Sequence, residues 1–130
     1  MKRIVVLGHG GYAEGIRKNL EMIVGELEYM YFVDLTREDD LNDLESKVNQ
    51  LLGTFGDDEV LFACDLLGAS PFRVAAMACA NHPGKYITVA GLNTAAYIEL
   101  NLNRGNDLSI LKLADLAIEA TKSSLAKFPE

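Results

Sequence analysis

Four short apolar runs punctuate the chain: Ile4 to Leu7, Tyr29 to Val33, Val60 to Cys64, and Tyr86 to Ala90. They are rich in Val, Ile, Tyr and Phe, and they stay apolar throughout instead of alternating. A strand with one wet face alternates. A strand that is apolar at every position is covered on both faces, as in a parallel sheet between helix layers. The stretches between the runs carry helical spacing. Tyr12, Ile16, Leu20 and Ile23 share one face, and Leu41, Leu44, Val48, Leu51 and Leu52 share another. The second stretch opens at Thr36-Arg37-Glu38-Asp39, which has the spacing of a helix N-terminal box, and stops before Gly53. Ser70-Pro71 begins a third helix, with serine as cap and proline as first helical residue, and it ends near Asn81. A shorter helix runs from Thr94 towards Leu102, and a last amphipathic one covers Ile110 to Ala126. The order β-α-β-α-β-α-β-α-α predicts a doubly wound, mostly parallel α/β sheet with helices on both faces. Right-handed crossovers give a small sheet of this kind the strand order 2-1-3-4. Its winding reverses between strands 1 and 3, and chemistry belongs at the carboxyl ends there.

Composition narrows the classes of function. A length of 130 residues predicts a single domain spanning 1–130, and 49% hydrophobic residues supply its core. No run approaches ~18 apolar residues, so no membrane span is predicted. The opening Met1-Lys2-Arg3-Ile4 leads into an apolar run that breaks at Gly8, too short for a signal peptide. A cytoplasmic location is the expectation. Cys64 and Cys79 lack CxxC spacing and read as buried, reduced thiols. A formal net charge of -7 argues against a nucleic-acid binder and suits protein partners with a positive face. No metal box appears.

At the predicted switch point, strand 1 ends at Gly8-His9 and strand 3 at Cys64-Asp65. An aspartate beside an imidazole can accept the proton on one ring nitrogen, orient the ring, and leave the other nitrogen as a nucleophile. Helices beginning just after His9 and at Ser70-Pro71 would aim amides and positive dipole ends at the crevice. Gly10, Gly11 and Gly68 would let backbone come close, and Ser70 offers a hydroxyl. His9 and Asp65 are therefore the candidate catalytic pair, with Gly10, Gly68 and Ser70 as phosphate-binding candidates. Leu67 and Tyr12 are candidates for an apolar rim. His82, in a turn at the far end of the third helix, reads as a surface loop residue, and Arg73 as a solvated side chain. Glu38-Asp39-Asp40 reads as favourable charge at a helix N-terminus.

These residues also carry a resemblance. Gly8-His9-Gly10 followed by a helix, Asp65-Leu66-Leu67-Gly68-Ala69-Ser70-Pro71-Phe72, and Gly91-Leu92-Asn93 resemble, in order, three motifs of the mannose–fructose–sorbose family of phosphotransferase-system enzyme IIA components. The resemblance spans essentially the whole chain. It implies a phosphocarrier in which His9 accepts a phosphoryl group from the histidine-containing phosphocarrier protein and passes it to a IIB component for sugar uptake. It implies Asp65 as the residue that holds the ring and Ser70 as a neighbour of the phosphate. It further implies a homodimer that needs no metal or organic cofactor and meets the membrane only through the transporter complex. The chain departs from the family pattern at Ala69, in place of a glycine, at Leu67, where some members carry tryptophan, and at Thr94-Ala95-Ala96.

Three other readings compete. Gly8-x-Gly10-x-x-Ala13, with Asp34 about 20 residues on, spells a dinucleotide fingerprint that would place Asp34 on a ribose. A receiver-like module would use Asp65 but needs acids where Gly8-His9 stand. The phosphotransfer subunit of dihydroxyacetone kinase has a related fold and an early histidine, although Ser70-Pro71-Phe72 resembles the sugar-transport branch more.

Overall fold

The computed structural model describes residues 1–129 of the chain. Four strands form one sheet: β1 (Lys2–His9), β2 (Met30–Leu35), β3 (Glu59–Cys64) and β4 (Tyr86–Ala90). The sheet order is β2-β1-β3-β4, and every pairing is parallel. This is the predicted topology. β1 is longer than its apolar run because its pairing continues beyond it, from Lys2 opposite Glu59 to His9 opposite Leu35.

The continuous apolar character of β1 is explained by two cores. Ile4 and Val6 face a cluster that includes Leu20, Leu61, Tyr97, Leu100 and Leu113. Val5 and Leu7 face another that includes Leu44, Val48, Phe62 and Val74. Helices α1 (Tyr12–Val24), α4 (Thr94–Asn103) and α5 (Ile110–Ser124) therefore cover one face, and α2 (Leu41–Leu52) and α3 (Ser70–Asn81) cover the other. Burying each Ile, Leu or Val contributes about 1.5–3 kcal/mol, so β1 alone anchors both layers.

Helix starts differ from the sequence reading at two places. The N-terminal box of α2 is Asp40 and Asp43, which accept reciprocally from each other's backbone N–H at 2.8 and 2.9 Å. Thr36 instead closes a preceding turn: its amide and hydroxyl both donate to Asp39. At α3 the cap position falls on Ala69, and Ser70 is the first helical residue, with no side-chain cap bond. A turn closed by the Ala69 amide on the Leu66 carbonyl delivers an extended backbone one residue earlier than predicted. At the other end, α5 stops at Ser124, where Ser123 and Ser124 turn their hydroxyls onto carbonyls one turn back.

Both cysteines are free, Cys64 buried and Cys79 half-buried. Burial pushes the Cys64 thiol up to about 12 and the Cys79 thiol up to about 11. No helix is long and apolar enough to cross a membrane among the described residues.

Candidate functional site

β1 and β3 are neighbours, so their carboxyl ends bring His9 and Asp65 together across 56 residues of sequence. Nδ1 of His9 lies 2.8 Å from Oδ2 of Asp65. A carboxylate only accepts, so the ring proton sits on Nδ1 and the lone pair is on Nε2. The same Oδ2 also accepts from the His9 backbone N–H at 2.9 Å. Side chain and main chain of His9 thus hang on one oxygen, which fixes the ring's direction as well as its tautomer. The imidazole is 44% exposed and the carboxylate 16%, so the ring is open to solvent while its partner is sheltered. Asp65 is held in turn by its own amide, which donates to the Leu7 carbonyl at 3.1 Å. Its second oxygen, Oδ1, is buried without a hydrogen-bond partner among the described residues.

The turn after His9 is built from residues with separate tasks. Gly10 has a φ of +61°, a left-handed conformation that favours glycine, and its amide donates to the Leu35 carbonyl. Gly8 meets a different constraint. A Cβ there would lie 2.4 Å from Cδ2 of Tyr12, because the Tyr12 ring lies directly across it. Tyr12 is half-buried. It packs into the core on the α1 face, and its hydroxyl bonds that of buried Tyr97. Burial raises the pKa of both phenols. Leu67 does take the exposed position expected of it. It is joined by Leu66, which the sequence reading overlooked although the two are adjacent; they are 75% and 61% exposed.

On the β3 side, Gly68 has a φ of +79°, and space is open where its side chain would be. Ala69 has a φ of -79°, so alanine costs nothing in backbone strain at that position. Ser70 and Phe72 present the free amides of the first turn of α3, Pro71 having none to satisfy. The Ser70 hydroxyl, released from capping, is available beside them. Arg73 is exposed but not idle: its Nε donates to the Gly68 carbonyl at 3.0 Å and pins the loop. His82 lies at the far end of α3, stacked on Tyr86 and bonded to the Ala78 carbonyl, away from the site. In the third motif Gly91 has a φ of +83°, and Asn93 caps α4 while donating to Ser124 of α5.

The helix α1 amides are not free as foreseen. Asp34, at the end of β2, accepts from the Ala13 amide at 2.8 Å and the Glu14 amide at 3.1 Å. That occupies the carboxylate which the dinucleotide reading assigned to a ribose, and it fills two of the amides which a pyrophosphate would need. The grooves along β2 and between α2 and α3 are lined by neither His9 nor Asp65. No cluster of three or more His, Cys, Asp or Glu side chains suited to a metal occurs among the described residues.

Comparison with known proteins gives a consistent result. The family described as PTS system fructose IIA component matches residues 3–117. The mannose-specific EIIAB component of Escherichia coli K12 is 31% identical over 123 residues, 94% of this chain and 38% of that protein, so the chain spans under two-fifths of that relative. The mannose/sorbose-specific IIA subunit from Enterococcus faecalis superposes with a TM-score of 0.89 at 31% identity, covering 100% of this chain and 97% of that one. The phosphotransferase component EIIA from Streptococcus agalactiae gives a TM-score of 0.89 at 27% identity, with 98% of each chain covered.

Proposed function

The chain belongs to the family of PTS system fructose IIA components, and from that premise we propose that it is a single-domain phosphocarrier that works through a phosphohistidine at His9. The observation that carries this reading is the His9–Asp65 pair, which engages Nδ1 and leaves Nε2 as the ring nitrogen free to act as a nucleophile on an exposed imidazole.

The proposed reaction runs in two displacements. Nε2 attacks the phosphorus of the phosphohistidine on the histidine-containing phosphocarrier protein. The N–P bond of the donor breaks, its imidazole leaves with the electron pair, and a new N–P bond forms at His9. His9 is then a phosphorylated imidazolium whose Nδ1–H points at Asp65. The carboxylate offsets that positive charge and keeps the ring in line. A nucleophile on the IIB component next attacks the same phosphorus, and His9 departs neutral. The phosphoryl oxygens lie toward the Ser70 hydroxyl and the amides of Ser70 and Phe72, with Gly10 and Gly68 leaving room for them. Exposed Leu66 and Leu67 exclude water once a protein partner docks. The shallow setting of His9 suits a phosphoryl group presented on a protein surface. The protein acts in the cytoplasm as a homodimer and meets the membrane only through its IIB and transporter partners.

The test is intact mass after incubation with phosphoenolpyruvate, enzyme I and the phosphocarrier protein. Wild type gains one acid-labile phosphoryl per chain, and His9→Ala gains none. Asp65→Asn gains it slowly while melting like wild type. Unlabelled wild type beside a phosphorylated donor overturns the proposal.

A further inference from the structure

A second carboxylate stands at the carboxyl ends of the strands, on the β2 side of β1, and its position is unlike that of Asp65. Asp34 stands opposite Gly8 in the β1–β2 register, on the face that packs against α1. It reaches the second and third helical residues of α1, the amides of Ala13 and Glu14, with one oxygen on each. A helix start two residues beyond a phosphorylated histidine is otherwise a ready anion site. Here it is already filled by an acidic group from a different strand. No such group sits on α3, where Ala69 caps without a side chain and the first-turn amides stay open.

We propose that Asp34 is a positioning residue that keeps the α1 amides away from the phosphoryl group, so that phosphohistidine is held on the α3 side alone and stays easy to pass on. The inference rests on His9 being the phosphorylated residue. A carrier gains nothing from clamping its cargo on both sides: each added amide would stabilise the loaded form and slow its discharge. The Asp34 carboxylate removes two donors and also sets a negative charge against the positive end of α1. The opposite expectation attaches to a merely structural cap, since loosening the turn under His9 would impair loading.

Asp34→Asn and Asp34→Ser are both neutral, and both can still accept from an amide. The readout is the plateau of phosphoryl exchange with a limiting amount of phosphorylated donor carrier, measured by intact mass. Removing one charge at a helix start is worth roughly two- to fivefold in the equilibrium at low salt. The neutral variants are expected to shift the plateau towards the phosphorylated chain by that factor and to discharge to the IIB component more slowly, with Asp34→Glu restoring the wild-type plateau. A plateau unchanged or shifted towards the donor overturns the proposal and leaves Asp34 a structural cap. Backbone amide shifts in wild type give a check that needs no variant. On phosphorylation, the Ser70 and Phe72 signals move strongly while those of Ala13 and Glu14 stay. Equal movement at Ala13 and Glu14 sinks the idea even if the variants do not fold. Failure of wild type to accept a phosphoryl group at all would refute the phosphocarrier reading instead, a result distinct from either.

Discussion

Replacing Gly8 by alanine gives the sharpest test of how the turn is built. The added Cβ would lie 2.4 Å from Cδ2, 2.6 Å from Cβ and 2.7 Å from Cγ of Tyr12. Carbon atoms rest at about 3.5–4.0 Å, so three contacts overlap by about 1 Å. Rotating the ring cannot relieve them, because Cβ of Tyr12 is fixed by the helix backbone. The ring is also tethered through its hydroxyl to Tyr97, which is fully buried. Relief requires the first turn of α1 to lift off β1, and Asp34 holds that turn by two amides. The cost should fall in the overpacking range of about 1–3 kcal/mol. For a chain of this length that lowers the melting temperature by roughly 3–15 °C. The assay is thermal unfolding by circular dichroism on Gly8→Ala, with Gly11→Ala as control. Gly11 has a φ of -105° and nothing within 4 Å of an added Cβ, so its variant should stay within about 0.5 kcal/mol of wild type. The double variant Gly8→Ala/Tyr12→Gly, which removes all three clashing atoms, should be less destabilised than the sum of the singles by about 1 kcal/mol or more. Gly8→Ala melting with wild type, or strict additivity in the cycle, would refute the steric account.

Two further outcomes follow from local chemistry. Asp40→Ala removes the α2 capping box and should cost about 1 kcal/mol in urea unfolding, more than Thr36→Ala, since Thr36 only closes the turn before it. The thiols of Cys64 and Cys79 are raised to about 12 and about 11, whereas in the unfolded chain they ionise near 8.5. The unfolded state therefore binds fewer protons above that pH. Stability that is complete below pH ~8.5 is lost as pH rises towards those folded values. Urea midpoints at pH 8 and pH 10 should show the decline. A thiol reagent at pH 8 should leave native protein unlabelled at Cys64 and label both residues after unfolding.

The layers and strand order were legible because the apolar runs of β1 and β3 have no polar alternation and the turn signals are strong. His9 and Asp65 were legible for the same reason: once strands 1 and 3 are neighbours, residues at their ends have to meet. The missed details each depend on a contact that residue type and spacing do not reveal. Asp34 looked like a ribose ligand because its partners, Ala13 and Glu14, are backbone amides, which leave no mark in a sequence. Gly8 entered the sequence reading only as a letter of the turn motifs. Its need is steric and appears only when the Tyr12 ring is placed. Ser70 followed a sound capping preference, but a turn of the preceding loop decided where α3 begins.

The central place of β1 also has a consequence in time. His9 leaves the ribosome ahead of Asp65, the carboxylate bonded to its ring, which is 56 residues behind. At synthesis rates of about 5–20 residues per second, roughly 3 to 11 seconds separate the two. Through that interval β1 can pair with β2, but its other edge has no partner yet. A nascent chain stopped before β3 carries the histidine without its aspartate, and an apolar strand with one side still open. The His9–Asp65 pair and protection from aggregation therefore arrive together, when residues 59–65 close the centre of the sheet.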